Sequence, residues 1–204
     1  MTAHIERTSH PKNADESRTH LNRTLIEYPE GVKDRTAVIQ HRLEHAGLKR
    51  KIGSNQVRAI RINLSGSPED IARIEAAGQL DAWCTDSLQY LFDTFGRENI
   101  ISAHLHMDEK TPHIHATLVP IVQAARTRRK KEDQVKRHYR KKSADIPRLC
   151  ADDIMTRGRL KSYQDGYAKA MSHHGLQRGI DGSEARHIST QQYYRDLKKQ
   201  SHEL

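Results

Sequence analysis

The sequence predicts an α+β fold, helices laid against a sheet that holds an antiparallel hairpin, and two observations carry that prediction. Residues 99–107 and 113–122 both read as strands. Only the turn DEKTP separates them, too short for the crossover that parallel strands need, so they form an antiparallel hairpin. Just upstream, residues 67–96 carry apolar side chains at helical spacing, enough to cover one face of a sheet.

In chain order, residues 1–30 are polar and punctuated by Pro11 and Pro29, which predicts irregular backbone around a short helix near 17–27, with little core. In AVIQHRLEHAG, residues 37–47, Val38, Leu43 and Ala46 fall near one helical face and Gly47 supplies a stop. QVRAIRINLSG, residues 56–66, alternates Val57, Ala59 or Ile60, Ile62 and Leu64 with polar partners and predicts a strand. Ser67 then reads as an N-cap, with Pro68 at the first helical position and Glu69 and Asp70 in the first turn, a combination that satisfies exposed helix N–H groups. Ile71, Ile74, Leu80, Trp83, Leu88, Leu91 and Phe92 extend one or two helices to Gly96, with a break at Gly78. Beyond the hairpin, a helix near 159–173, a turn at Gly175 to Gly182 and a helix near 190–201 complete the pattern.

A length of 204 residues fits one domain with a tail or loop insertion. Lysine and arginine number 35 against 26 acids, a balance of +9 that points to an anionic partner. Ten of those basic residues lie in 126–142 against only Glu132 and Asp133, a local +8 in a loop spanning about 123–146. Such a run binds phosphates by counterion release, or is simply a solvated loop. No apolar run approaches the roughly 18–20 residues of a membrane span, and Met1 to Lys12 has no signal-peptide core, which predicts a cytoplasmic chain. Cys84 and Cys150 belong to no metal-binding or disulfide spacing.

The ten residues HMDEKTPHIH, 106–115, concentrate the chemistry. His113 and His115, two apart on a strand, leave the same face, so one metal ion can touch both. With His106 across the hairpin, three imidazoles converge, Asp108 and Glu109 stand within reach, and coordination positions remain open for substrate oxygens. His104 is an alternative to His106. Scattered surface histidines in a chain holding 14 of them would be the bland account.

HMDEKTPHIH resembles the H-x-D-E-x-x-P-H-x-H motif of the Mob/Pre plasmid mobilization relaxases, the MobV type. HIER at 4–7 is similar to that family's H-x-x-R motif and NADESRTHLNRTL at 13–25 to its N-x-D-x-x-R-x-H-L-N segment, and the likeness continues through RLCADD and YYRDL. The resemblance implies an HUH-superfamily relaxase fold, a central antiparallel β-sheet flanked by helices, and a site- and strand-specific nickase that opens an origin of transfer through a covalent 5′-phosphoryl intermediate, starting conjugative mobilization of a plasmid or mobile element. It implies Mn²⁺ or Mg²⁺ on His106, His113 and His115, with Glu109 beside the metal and Asp108 shaping the turn. His4 would be the nucleophile, with His20 and Tyr28 as rivals, and Arg7 would contact the phosphate or orient His4. Partners implied are origin DNA, single-stranded or hairpin, and relaxosome and coupling proteins in a bacterial cytoplasm.

Arg18, His20, Asn22, Arg126, Arg128, Arg129, Lys130 and Lys131 are candidate DNA contacts, with Lys49, Arg50, Lys51 and Arg58 as additions and Tyr139, Tyr193 and Tyr194 as stacking candidates. Relatives begin with a further strand before H-x-x-R and continue into a helical C-terminal region. Residues 1–204 are therefore expected to be a single nuclease domain without either. A metal-dependent phosphodiesterase that activates water through Glu109, and a non-catalytic DNA-binding module, are the competing function classes.

Overall fold

The structure, a computed structural model, describes residues 2–9, 11, 13–123 and 146–179. The basic residues Arg126, Arg128, Arg129, Lys130 and Lys131, the tyrosines Tyr139, Tyr193 and Tyr194, and the helix expected at 190–201 lie outside the described residues.

The hairpin is central. β3 (Ile100–His106) and β4 (His113–Leu118) pair antiparallel; β1 (Arg23–Ile26) adds to the free edge of β3 and β2 (Ile60–Leu64) to that of β4, giving the order β1-β3-β4-β2 with every pair antiparallel. Alternation then divides the sheet into two chemically different faces. On one lie Leu64, Ala103, Leu105, Ile114, Ala116 and Leu118, packed against Ile71 and Ile74 of α3 (Pro68–Ala76), Trp83 and Leu91 of α4 (Leu80–Phe95), and Met171 just after α6 (Arg157–Ala170). Trp83 Nε1 donates to Tyr167 Oη at 3.1 Å and Tyr90 Oη to the Tyr163 carbonyl at 2.6 Å, locking α4 to α6.

The other face carries His104, His106, His113, His115 and Thr117 in register. A bulge between Ile100 and Ser102 inverts the alternation. Ile100 therefore stays with the apolar face, while Ile101 crosses to join Val119, Ile121 and Val38 and Leu43 of α2 (Arg35–Glu44) in a second core. α2 thus covers one end of the polar face. The short α1 (Thr2–Ile5) reaches its other end and buries Ile5.

Several elements differ from the expectations. The helix near 17–27 is a 3-10 turn, Glu16–Leu21, followed by strand β1, because pairing with the open edge of β3 overrides local propensity. The strand at 56–66 is shortened to β2, leaving Val57 half exposed. The strand at 113–122 breaks at Pro120, after which β5 (Ile121–Val122) pairs with β6 (Arg148–Leu149) instead, ahead of α5 (Ala151–Ile154). The helix near 159–173 becomes α6 and a separate 3-10 turn, Ser172–His174. The α3 start is as expected: Ser67 Oγ accepts from Asp70 N at 3.1 Å, with Pro68 next. Ser67→Ala is expected to cost about 1 kcal/mol, read from the denaturation midpoint.

Candidate active site on the histidine face

The pairing register sets His106 opposite His113 and His104 opposite His115. The rings of His106 and His115 stand 4.8 Å apart, those of His113 and His115 4.7 Å, and those of His106 and His113 5.3 Å. His104 turns elsewhere, with Nδ1 3.5 Å from Thr24 Oγ1 and Nε2 3.4 Å from Tyr28 Oη. The three imidazoles that the register brings together are therefore His106, His113 and His115.

Hydrogen bonds set which nitrogens are free. His106 Nε2 donates to the Ile5 carbonyl at 3.0 Å, so the neutral ring keeps its lone pair on Nδ1, which is buried with no protein partner. His113 Nδ1 donates to the Thr111 carbonyl at 2.9 Å, leaving a lone pair on Nε2, 3.1 Å from His115 Nε2. That is close to the roughly 3 Å separating neighbouring donors that each lie about 2.1 Å from one octahedral ion. Glu109 Oε1 lies 3.9 Å from His106 Nδ1 and 3.8 Å from His113 Nε2. A buried, unpartnered lone pair facing an imidazole cluster and a carboxylate fits a divalent cation.

α1 delivers His4 to the same place. Its ring lies 6.0 Å from His106 and 5.6 Å from His115, with Nε2 3.5 Å from Glu109 Oε1, and its side chain remains 30 % exposed. His4, His106 and His115 form one potential donor triple and His106, Glu109 and His113 another, overlapping at His106. Tyr28 is set differently: its hydroxyl donates to Glu6 Oε1 at 2.9 Å, and burial together with Glu6 pushes its pKa strongly up. His20 is exposed on the 3-10 turn.

Arg7 ties the parts together. Nε and Nη2 donate to Asp108 Oδ2 and Oδ1 at 2.8 and 2.6 Å, Nη2 also donates to Glu109 Oε1 at 2.8 Å, and Nη1 to the His4 carbonyl at 2.5 Å. The backbone at Arg7 has φ +53, a left-handed conformation that costs a non-glycine residue energy. Asp108, 1 % exposed, also accepts from Asn22 Nδ2 at 2.7 Å, while Asn22 Oδ1 accepts from Met107 N at 2.6 Å. Both ends of the Asn22 amide are therefore engaged within the protein.

Electrostatics follow from this packing. Burial raises both carboxyls, but it is outweighed: bonds from Arg7 and Asn22 hold Asp108 well below the carboxylate range, and His106 and Arg7 hold Glu109 at about 2. Burial lowers His4 and His113, and lowers His115 to about 3 with help from His113, His106, Arg61 and His4. Neutral imidazoles are what a metal or an electrophile requires.

Arg18 is half buried on the 3-10 turn. Arg58 is exposed, and Lys49, Arg50 and Lys51 line a groove of about 540 Å³ with Arg148. Sequence reasoning missed Asn13, whose Nδ2 donates to Glu109 Oε2 at 2.6 Å, and Arg61, an exposed cation of β2 acting on His4 and His115. Asn13 heads the NADESR segment quoted above, the one signal that could have found it.

Comparison with known proteins decides the family. A profile described as plasmid recombination enzyme, Mob/Pre, matches residues 1–195. The chain belongs to the Mob/Pre family. This Mob/Pre chain is 29 % identical to a 65 kDa protein of Zymomonas mobilis over 96 % of its own length and 30 % of that protein's. It is also 29 % identical to a plasmid recombination enzyme of Bacillus thuringiensis, over 85 % of its length and 32 % of the enzyme's. It thus spans about a third of these relatives. Among solved structures it is similar to the MobM relaxase domain, Mn-bound and in complex with oriT DNA of plasmid pMV158. One such complex gives a TM-score of 0.72 at 25 % identity, covering 96 % of this Mob/Pre chain and 90 % of that domain. The α+β architecture accordingly shares its fold with the MobM relaxase domain.

Proposed function

We propose that residues 1–204 are the nuclease domain of a DNA relaxase that cleaves one strand at an origin of transfer and so starts conjugative mobilization of a plasmid or mobile element. The observation that carries this is the convergence of His4, Glu109 and the three strand-borne histidines on one polar sheet face. Family membership and the MobM relaxase–oriT complexes support the choice of substrate.

His106, His113 and His115 would hold Mn²⁺ or Mg²⁺, which supplies Lewis-acid polarisation of a phosphate oxygen. His4, neutral and partly exposed, attacks phosphorus through one ring nitrogen. An N–P bond forms, the bond to the 3′ oxygen breaks, the other ring nitrogen releases its proton and the departing 3′ oxygen takes one up. The DNA is left with a free 3′ hydroxyl and its 5′ phosphate on His4, activated for re-joining. Arg7 acts as a positioning residue, since its guanidinium is committed to Asp108, Glu109 and the His4 carbonyl.

The basic segment at about 123–146 adds phosphate contacts, with loss of affinity as salt rises. We place the protein in the bacterial cytoplasm with relaxosome and coupling proteins as partners; among the described residues no helix is long and apolar enough to cross a membrane.

The test is incubation with Mn²⁺ and a labelled single strand from the protein's own origin, followed by denaturing electrophoresis. An SDS-resistant protein–DNA adduct is expected. Cleavage without an adduct would indicate a phosphodiesterase that activates water, and binding without cleavage a non-catalytic module. Chelation of the metal, or His113→Ala, is expected to lower nicking of supercoiled plasmid on the order of 10²–10³-fold.

A further inference from the structure

We propose that Asp86, His173 and His174 form a second divalent-metal site, of the zinc class, on the helical layer across the sheet from the histidine face. Asp86 lies within α4 beside the buried Ser87; His173 and His174 end the 3-10 turn that follows α6. Both imidazoles aim the same ring atom at one carboxylate oxygen, with Nε2 of His173 and of His174 at 2.9 and 2.8 Å from Asp86 Oδ2. Their rings stand 4.1 Å apart, and the three donor atoms lie within 4.8 Å of one another.

The arrangement is held in place before any ion arrives. His174 is 4 % exposed, its carbonyl accepts from Arg73 Nη1 at 3.0 Å, and Gly175 at φ +78 closes the turn with the Arg73 guanidinium where a side chain would sit. Arg73 is itself neutralised by Asp70 at 2.8 Å, so no unpaired charge from that residue opposes a cation. Donors around one zinc ion stand roughly 3.3 Å apart, so each Nε2–Oδ2 spacing opens by about half an ångström to admit it. A shift of each imidazole to its other tautomer then presents an Nε2 lone pair. The His173 side chain is 60 % exposed, leaving room for a water as fourth ligand. Two nitrogens and one carboxylate favour zinc-class ions over Mg²⁺. Bound there, the ion fastens the turn after α6 to α4.

The experiment is a calorimetric titration of the metal-free chain with Zn²⁺ alone, paired with thermal melts, for wild type, His173→Ala and Asp86→Asn. Any Zn²⁺ taken by the sheet-face histidines is common to all three, so the difference isolates this site. Both variants are expected to bind one fewer Zn²⁺ per chain, and the Zn²⁺-induced rise in melting temperature to shrink by roughly 4 °C. The Mn²⁺-dependent DNA adduct of His173→Ala should match wild type. Equal stoichiometry and equal Zn²⁺-induced rises in all three proteins would overturn the proposal and leave a hydrogen-bonded cluster.

Discussion

His4→Ala is expected to abolish the SDS-resistant adduct with origin DNA, a loss on the order of 10⁴-fold or more, while single-strand binding persists. The magnitude follows from the role: without a nucleophile no N–P bond forms, whatever else survives. Geometry sets the alternatives. Tyr28 Oη is held by Glu6 at 2.9 Å with its pKa pushed strongly up, and His20 is exposed on the 3-10 turn, so Tyr28→Phe and His20→Ala should both retain the adduct. Because His4 also shares a potential donor triple with His106 and His115, the variant could fail by losing metal. A Mn²⁺-induced rise in melting temperature that persists in His4→Ala separates nucleophile from ligand. Retention of a full-strength adduct would move the nucleophile elsewhere.

What the sequence made legible divides along physical lines. The hairpin and its triad were readable because both depend on short-range facts: period-two alternation, a five-residue turn and two histidines on one strand face. The Ser67–Pro68 helix start was readable for the same reason. β1 was not, because four residues, RTLI, become a strand only by pairing with β3 some 80 positions away. The sequence offers Asn22 only as a candidate DNA contact. Its hydrogen-bond partners within the protein, Asp108 and Met107, lie 86 and 85 positions on and leave no local trace. His4 is singled out only by resemblance. Nothing around a histidine near a chain start shows that Arg7, in a left-handed conformation, will clamp its carbonyl.

That clamp ties Asp108 to the stability of the fold. Asp108→Ala is expected to destabilise the protein by about 3 kcal/mol, the usual scale for removing one partner of a buried pair, and to lower the melting temperature by roughly 6–12 °C. The reason is the partner left behind. The Arg7 side chain is 8 % exposed and loses two of its four hydrogen bonds, and the Asn22 amide loses its acceptor. The sign with pH follows from the depressed carboxyl. Its stabilisation is fully present above the unfolded-state value near 4 and declines as pH falls toward the folded value. In metal-free buffer the gap between wild type and Asp108→Asn should therefore be widest near neutrality and narrow below about pH 4. Arg7 also holds the His4 carbonyl and Glu109, so the same variants should lose adduct formation even at temperatures where they remain folded. An Asp108→Ala protein that melts with wild type would show that Arg7 re-pairs with Glu109 alone, and that the turn, rather than the ion pair, positions His4.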